Sequence, residues 1–216
     1  MLVKLAAYNN IFMIIGPKYK ICKRLGASVF EKCQTAKYQL AEARAPRRTG
    51  RGGRGGGTDF GVQLLEKQKA RFTYGLSESQ FARYVNEAMD KQGADSKSAL
   101  MVRLESRLDN TVYRAGFVKT RRAARQLVSH GHVIVNGRRM TIPSHKVEVG
   151  DIVGIRVESR PSPLFVGRSE AAVEHKAPTW MTMGDDGFTA TINTIPNVGE
   201  TEAPFNAATV IQFYSR

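Results

Sequence analysis

Apolar and polar positions alternate most regularly between residues 120 and 139, in the stretch TRRAARQLVSHGHVIVNGRR. The apolar positions of its first half follow the spacing of one helix face and are Ala124, Leu127 and Val128. Thr120 is a suitable N-cap and Gly131 a suitable stop. The segment HVIV then alternates as a strand does, and Asn136-Gly137 is the strongest short hairpin signal. The pattern therefore predicts a helix followed by a β-hairpin.

Residues 58–92 and 96–115 also have helical spacing. In the first stretch the positions on one face are Leu64, Leu65, Gln68 and Phe72, followed by Phe81, Tyr84, Val85 and Ala88. Ser77 marks the start of a second helix within that stretch. In residues 96–115 the apolar stripe consists of Leu104, Leu108, Val112 and Ala115, and Gly116 is expected to end the helix.

Strand patterns return after the hairpin. The segments KVEV and IVGIRV alternate on either side of Gly150-Asp151 and are predicted to pair. Near the C-terminus ATVIQFYSR is strand-like, and Trp180 and Phe213 are expected to pack rather than to bind a ligand. The predicted fold class is α+β: a mostly helical N-terminal domain, an inserted module of two helices packed on a small antiparallel sheet, and a closing C-terminal strand.

Charge adds a functional expectation to this fold. The chain has 33 Lys and Arg against 19 Asp and Glu, a net charge of +14 and a pI near 10.1. Residues 1–57 contribute +10, residues 58–168 contribute +8 and residues 169–216 contribute −4. Such an excess indicates a polyanionic partner, and nucleic acid is the commonest one. The basic surface is therefore expected within the first 168 residues.

Composition disfavours several other classes of protein. No run approaches the ~20 apolar residues of a membrane span. The cations lie at helix and hairpin ends rather than along one amphipathic stripe, which disfavours a membrane-surface protein. The apolar run at residues 5–15 contains Asn9 and Asn10 and is followed by no small-residue cleavage site, so it does not fit a signal peptide. Cys22 and Cys33 are interpreted as free thiols in a reducing cytosol.

Two basic segments could contact RNA. Residues 44–57, RAPRRTGRGGRGGG, combine six glycines with five arginines and form either a flexible linker or an RNA contact. Arginine forks onto phosphate and glycine lets the backbone approach closely, which favours RNA contact. In the predicted helix between Thr120 and Gly131, one face is shared by Arg122, Arg125, Gln126 and Ser129. We expect loss of Arg122 and Arg125 together to weaken RNA binding without unfolding the protein.

Several segments of the chain together resemble one known protein family. The first group consists of SRLDNTVYRAGF, TRRAARQLVSHGHVIVNGRR, IPS and VGDIV, and it resembles the RNA-binding module of the family of small-subunit ribosomal protein S4. That module also recurs in other RNA-binding proteins. GPKYKICKRLG resembles the family's N-terminal segment, DFGVQLLEKQKARFTYG with QFARY its helical domain, and PTW with FYSR its C-terminal end. The resemblance is to the bacterial-type family and covers about residues 16–216.

The resemblance implies a structural constituent of the small ribosomal subunit and not an enzyme. It implies primary binding of 16S rRNA at a helix junction of the 5′ domain, nucleation of 30S assembly, and a contribution to translational accuracy. The implied partners are 16S rRNA, mRNA near the entrance of the subunit, ribosomal protein S5 and other small-subunit proteins, on cytoplasmic ribosomes. The linker arginines Arg47, Arg48, Arg51 and Arg54 stand where the family places residues near the incoming mRNA.

The chain departs from the family pattern in two places. Many members carry a four-cysteine zinc site near the N-terminus. Here Tyr19 stands where the first cysteine would be, Cys22 matches the second, and Cys33 has no clear counterpart. This implies a zinc-free version without a cofactor. The glycine-rich linker also lacks the family's Pro-Gly-Gln-His segment.

Two alternative functions make different demands on the sequence. Arg107-Leu108-Asp109 resembles the short motif around the catalytic Asp of pseudouridine synthases. A single acid within a helix, with too little chain left for a catalytic domain, favours a helix or interface role for Asp109. A free RNA-binding factor that uses the module alone is disfavoured by the helical-domain and C-terminal matches. His130 and His132 either cap and pack locally or contact phosphate and base.

The predicted organisation has five parts: residues 1–15 as an extension, with Met13 an alternative start; 16–57 as a basic segment and Gly/Arg linker; 58–102 as a helical domain completed by C-terminal residues; 103–168 as the RNA-binding module; and 169–216 as a segment packing back. The residues expected to contact RNA share a basic or hydrogen-bonding side chain. They are Lys18, Lys20, Lys23, Arg24, Arg47, Arg48, Arg51, Arg54, Lys67, Lys69, Arg71, Arg83, Arg107, Arg114, Lys119, Arg121, Arg122, Arg125, Gln126, Ser129, His130, His132, Asn136, Arg138 and Arg139.

Overall fold

The computed structural model describes residues 16–44, 58–90, 95–165, 177–196 and 203–215. The predicted extension at residues 1–15 and the linker residues Arg47, Arg48, Arg51 and Arg54 lie outside these ranges. The chain divides into two compact units, of which the first combines residues 1–83 with 204–216 and the second comprises residues 84–203.

The first unit is helical in its described parts. Its elements are α1 (Lys18–Leu25), a 3-10 helix (Glu31–Gln34), α2 (Ala36–Ala43), α3 (Asp59–Tyr74), the first half of α4 (Glu78–Met89) and α8 (Ala207–Tyr214). Gly26 ends α1 and Gly75 ends α3 in the left-handed conformation that glycine adopts without strain. The N-terminal elements close around a small apolar cluster formed by Cys22, Leu25, Val29, Phe30, Cys33 and Tyr38.

The buried face of α3 differs from the predicted one. The buried positions are Gln63, Lys67, Ala70 and Tyr74, whereas Leu65 and Phe72 pack at the edge of the N-terminal cluster. The reason is tertiary: α8 packs along α3, and Phe213 of α8 packs against Phe60 with ring centroids 5.6 Å apart.

The predicted C-terminal strand is wrong, because residues 207–214 form α8. Asn206 caps this helix, and its side-chain oxygen accepts hydrogen bonds from the backbone N–H groups of Ala208 and Thr209. Val210 is buried, and the Tyr214 hydroxyl donates to Glu78 at 2.9 Å. The β-branched residues of this segment favoured a strand locally, but packing on α3 favours a helix.

The second unit is a sheet covered by helices. Its helices are the second half of α4, α5 (Ser96–Glu105), α6 (Leu108–Arg114) and α7 (Arg121–Ser129), with short 3-10 helices at Val157–Ser159 and Pro163–Phe165. Its strands are β1 (Val133–Val135), β2 (Arg138–Met140), β3 (Ile152–Ile155), β4 (Met181–Met183) and β5 (Thr189–Ile192). All pairs are antiparallel, in the order β2-β1-β3-β5-β4. The α+β class and the hairpin at Asn136-Gly137 are therefore confirmed.

The helices α6 and α7 cover one face of this sheet. Leu108, Val112, Ala124, Leu127 and Val128 from the helices form one buried cluster with inward-facing strand residues, which are Val133, Val135, Val153, Ile155, Ala190 and Ile192. Trp180 is buried in the same cluster, as expected. The periodicity of 120–139 thus predicted the contact between helix and hairpin correctly.

Two predicted elements of this unit differ in the structure. The helix expected over 96–115 is interrupted at Ser106 and Arg107, where Arg107 forms an isolated antiparallel bridge with Lys146. This bridge is also all that remains of the predicted KVEV strand. The partner of β3 on that side is β5 instead, and no strand was predicted for the residues that form β5.

Candidate RNA-binding surface

Helix α7 is the centre of the candidate RNA-binding surface. The Thr120 hydroxyl caps it by accepting a hydrogen bond from the Ala123 N–H at 3.1 Å. Because Ala124, Leu127 and Val128 are buried beneath the helix, Arg122 and Gln126 point to solvent. Lys119, just before the helix, is exposed as well. These three form what we call the α7 surface: Lys119, Arg122 and Gln126.

A buried carboxylate holds α6 and α7 together. Asp109 accepts two hydrogen bonds from Arg107, at 2.9 and 2.7 Å, and two from Arg125, at 3.0 and 2.8 Å. The Arg107 side chain is 1% exposed and also donates to the Tyr84 hydroxyl at 2.7 Å. Burial alone would lower the pKa of the Arg107 guanidinium, but the charge and hydrogen bonds of Asp109 raise it above its ordinary value.

This network corrects the expected role of two arginines. Arg107 cannot meet RNA, because its guanidinium lies inside the second unit between Asp109 and Tyr84. Arg125 is partly buried, with 14% of its side chain exposed, and its guanidinium is bound to Asp109. Asp109 itself is a structural residue of the interface between α6 and α7, as the sequence argument favoured over a catalytic role.

A second buried carboxylate holds the beginning of α7. Glu105 is 1% exposed and accepts hydrogen bonds from Arg114 at 2.9 and 3.1 Å and from Asn110 at 2.7 Å. The Asn110 side-chain oxygen in turn accepts from Arg121 at 2.8 Å. Arg121 also lies over the Tyr113 ring, 4.3 Å from its centroid. Arg114 and Arg121 therefore link α6 to its neighbours, and what remains exposed of them borders the α7 surface.

The hairpin turn has a structural role at Asn136. Its backbone has a φ of 50°, and its side chain donates to Asp151 at 2.8 Å and accepts from the Ile152 N–H at 2.9 Å. Asn136 thus fixes β3 against the hairpin, and its side-chain amide is committed to that contact. Arg138 and Arg139 on β2 are exposed.

The two histidines occupy different environments. His130 is exposed at the end of α7, whereas His132 is half-buried, with Nδ1 2.9 Å from the Ser159 hydroxyl. Burial lowers the pKa of His132, and the nearby positive charges of His130, Arg156 and Arg139 lower it further. His132 is therefore mostly neutral at neutral pH in the free protein.

The predicted convergence of all polar positions on one surface is only partly correct. In a strand successive side chains point to opposite faces. Val133 faces α7, so the residues before and after it, His132 and Ile134, point to the opposite face of the sheet. Arg139 is paired with Ile134 and therefore lies on that face as well. The α7 surface and the outward sheet face are thus distinct. The alternation of the IVGIRV segment also places Arg156 on the outward face, but Arg156 was not among the predicted RNA-contacting residues.

Predicted contacts in the first unit divide into exposed and engaged side chains. Lys20, Lys23 and Arg24 are exposed on α1, and Arg83 is exposed on α4. Lys67 is an incorrect candidate, because its ammonium is buried under the Phe213 ring, 4.5 Å from the centroid, and binds Glu78 at 2.6 Å.

The remaining candidates of the first unit carry contacts of their own. Lys69 binds Glu66 at 2.7 Å, Arg71 binds Glu78 at 2.8 Å, and Lys18 lies over the Phe30 ring. In the second unit Ser129 is half-buried on α7. These side chains are less available than the exposed cations of α1.

Within the described ranges, no cluster of three or more His, Cys, Asp or Glu side chains is arranged to hold a metal ion. Cys22 and Cys33 are both buried free thiols, and burial, together with the neighbouring Cys22, raises the pKa of Cys33 to about 12. None of the helices in the described part of the chain is long and apolar enough to cross a membrane.

Comparison with known proteins matches both units. Residues 13–105 match the family described as the ribosomal protein S4/S9 N-terminal domain, and residues 106–153 match the S4 domain. The chain is 41% identical over 208 residues to the small ribosomal subunit protein uS4 of Roseiflexus castenholzii, covering 94% of this chain and 98% of that protein.

Two further relatives bear the same name. The small ribosomal subunit protein uS4 of Persephonella marina is 42% identical over 204 residues, and that of Thermotoga petrophila is 41% identical over 207 residues. Each alignment covers 93% of this chain and 98% of the relative. The fold, the basic α7 surface and these near-full-length matches agree, and the chain belongs to the uS4 family of small-subunit ribosomal proteins.

Proposed function

We propose that this protein binds 16S rRNA at a helix junction of the 5′ domain and thereby nucleates assembly of the small subunit. The coarser function follows from its family: it is a structural protein of the small ribosomal subunit, without enzymatic activity, that binds rRNA on cytoplasmic ribosomes. Affinity comes largely from cations that replace counterions along closely packed phosphates, and specificity from the shape of the folded RNA.

The α7 surface is the observation that carries this proposal. Arg122 and Gln126 are exposed on a helix whose position is set by the buried carboxylates Glu105 and Asp109. Each carboxylate uses arginines of the module as internal partners, so the helix is held in place before RNA arrives. A rigid cationic face suits recognition of a folded RNA junction, because little conformational entropy is lost on binding.

The test is binding of the full-length protein to a 5′-domain fragment of 16S rRNA and to a scrambled RNA of equal length, at low and moderate salt. We expect the fragment to bind more tightly at both salt concentrations. Equal binding to both RNAs that collapses as salt rises would reject the junction and leave only a basic RNA-binding module.

Single variants of Arg122 and Arg125 separate the effect of each arginine on rRNA affinity from its effect on stability. Arg122→Ala should weaken rRNA binding and reduce the salt dependence while leaving stability unchanged, because its side chain is exposed. Arg125→Ala should also lower stability, because its partner is the buried Asp109. Lys97→Ala, which removes one charge from the exposed surface of α5, serves as the matched control. Equal effects of Arg122→Ala and Lys97→Ala on affinity would contradict the assignment of the α7 surface.

The finer roles rest on family resemblance and charge. We infer contacts with mRNA near the entrance of the subunit through Arg47, Arg48, Arg51 and Arg54, a neighbouring position to ribosomal protein S5, and a contribution to decoding accuracy. Replacing the four arginines with glutamine should raise misreading in a reporter assay without lowering rRNA affinity by the same factor. Unchanged misreading would remove the linker from this role.

We also propose that the N-terminal segment folds without zinc. Cys22 and Cys33 lie inside an apolar cluster with Leu25, Phe30 and Tyr38, so packing supplies the contacts that hold this segment. Refolding in the presence of a strong chelator should give the same unfolding midpoint as refolding with added zinc. A higher midpoint with zinc, and stoichiometric metal by elemental analysis, would contradict this.

A further inference from the structure

The sheet face that points away from α6 and α7 carries a separate group of cations. Val133 and Ile155 point inward and pair with each other across β1 and β3. The adjoining residues His132 and Arg156 therefore point outward, and they are neighbours, since the Arg156 N–H donates to the His132 carbonyl at 2.9 Å. Arg139 reaches the same face from β2, on the other side of β1.

Backbone geometry brings the three residues to one region of the sheet: the Arg156 N–H donates to the His132 carbonyl, and the Arg139 guanidinium lies against Gly131, the residue before His132. Burial lowers the pKa of His132, and the positive charges of His130, Arg156 and Arg139 lower it further, which favours the neutral imidazole. The Arg139 guanidinium lies over Gly131, where any larger residue would displace it, and donates to the His130 carbonyl at 3.3 Å. The absence of a side chain at Gly131 thus leaves room for the Arg139 guanidinium.

The acidic groups around this cluster leave it positive. Glu158 accepts from Arg156 at 2.7 Å, but its side chain is 67% exposed, so water screens the pair strongly. Asp186 is bound by Arg160 at 3.1 Å and by the Thr189 hydroxyl. Two arginines and two histidines with one screened carboxylate form a site for an anion.

We propose that His132, Arg139 and Arg156 form a second phosphate subsite, which receives a backbone phosphate of rRNA and takes up a proton at His132 as the phosphate binds. This subsite rests on the rRNA binding proposed above and extends it from the α7 surface to the opposite face of the module. The net charge of +14 favours an RNA phosphate over an isolated carboxylate of a protein partner, because an extended polyanion interacts with every cation of the surface.

The chemistry of the three groups suits a phosphodiester. Guanidinium groups donate in a planar fork that matches two phosphate oxygens. Nδ1 of His132 lies next to the Ser159 hydroxyl, so Nε2 is the nitrogen left to donate to the phosphate once protonation has made both ring nitrogens donors. The negative charge opposes the effect of Arg139, Arg156 and His130, so it raises the pKa of His132 in the complex above that in the free protein. Proton uptake on binding means that affinity rises as pH falls.

The experiment measures binding of the full-length protein to the 5′-domain fragment between pH 8 and pH 6 and across a salt series. Wild-type affinity should rise by about threefold to tenfold over this pH range, as expected for uptake of one proton near the histidine pKa. The double variant Arg139→Gln/Arg156→Gln should lose about tenfold in affinity and lower the salt slope by about one. His132→Gln should lose most of this pH dependence.

Two control variants isolate the subsite. Arg122→Gln lies on the α7 surface, so it should lower affinity while the pH dependence stays as in the wild type. His145→Gln removes a histidine from another part of the module and should also leave the pH dependence intact. Arg139 is exposed and the Arg156 side chain is 38% exposed, and the unfolding midpoint of each variant checks that it is folded.

Each outcome decides between this inference and the function on which it rests. If wild type does not prefer the 5′-domain fragment, the proposed function fails. If wild type prefers it and the arginine double variant keeps both affinity and salt slope, the subsite is wrong. If that variant binds rRNA normally but no longer enters small subunits, the face contacts a protein neighbour, and the phosphate assignment is overturned.

Discussion

Replacing Asp109 with alanine is the most stringent test of how the module is held together. The carboxylate is 6% exposed and accepts four hydrogen bonds of 2.7–3.0 Å from Arg107 and Arg125. In Asp109→Ala the Arg107 charge stays buried and keeps its hydrogen bond to the Tyr84 hydroxyl. Removing one partner of a buried ion pair typically costs about 3–5 kcal/mol, because the other charge is left uncompensated. We expect a loss of that size in the free energy of unfolding.

Urea denaturation followed by circular dichroism measures this loss as a lower midpoint at unchanged slope. The control is Glu148→Ala, because Glu148 is 69% exposed and pairs with Lys146 at 3.1 Å, and its loss should change stability by less than about 1 kcal/mol. Adding Arg107→Met to Asp109→Ala should recover part of the stability, because it removes the unpaired buried charge. If Asp109→Ala and Glu148→Ala cost the same, the reasoning about the buried network is refuted.

Three smaller perturbations follow from individual contacts. Thr120→Ala removes the α7 cap and should lower the free energy of unfolding by about 1 kcal/mol, and an unchanged urea midpoint would show that the cap contributes nothing. Gly131→Ala introduces a side chain at a φ of 76° against the Arg139 guanidinium. The substitution should lower the free energy of unfolding by at least about 1 kcal/mol and weaken rRNA binding. Normal rRNA binding by this variant would show that the turn at Gly131 does not position the phosphate subsite. Partial burial would raise the pKa of Glu78, but hydrogen bonds from Lys67, Tyr214 and Arg71 hold it below its usual value. The ionised carboxylate therefore stabilises the first unit fully above about pH 4.3, which is the pKa of an unfolded Glu. This contribution is lost as the pH falls through the lower pKa of the folded state. Glu78→Gln should reduce the acid sensitivity of hydrogen exchange in α8, and an identical pH profile would remove Glu78 from that role.

The fold was predictable wherever one face of an element met one partner. The helix and hairpin of residues 120–139 followed from apolar spacing, an N-cap and a two-residue turn, because local patterning and the tertiary contact agree there. The strand prediction for residues 207–214 was wrong, because the β-branched and aromatic residues of this segment suit a strand in isolation. In the fold, Phe213 and Tyr214 pack as part of a helix against residues distant in the sequence. The strands β4 and β5 were not predicted, because β5 is fixed by its long-range pairing with β3, and β4 joins the sheet only by pairing with β5.

The candidate site shows the same division. The sequence by itself determined that the protein is basic, that α7 has one apolar and one polar face, and which family the chain resembles. It could not separate the cations that meet solvent from those used internally, because that depends on where a carboxylate distant in the chain comes to lie. Only the tertiary structure placed Arg125 beside Asp109 and Lys67 under Phe213, and brought His132, Arg139 and Arg156 to one sheet face. Spacing fixes the face on which a side chain lies, but burial and ion pairing decide whether its charge is available to RNA.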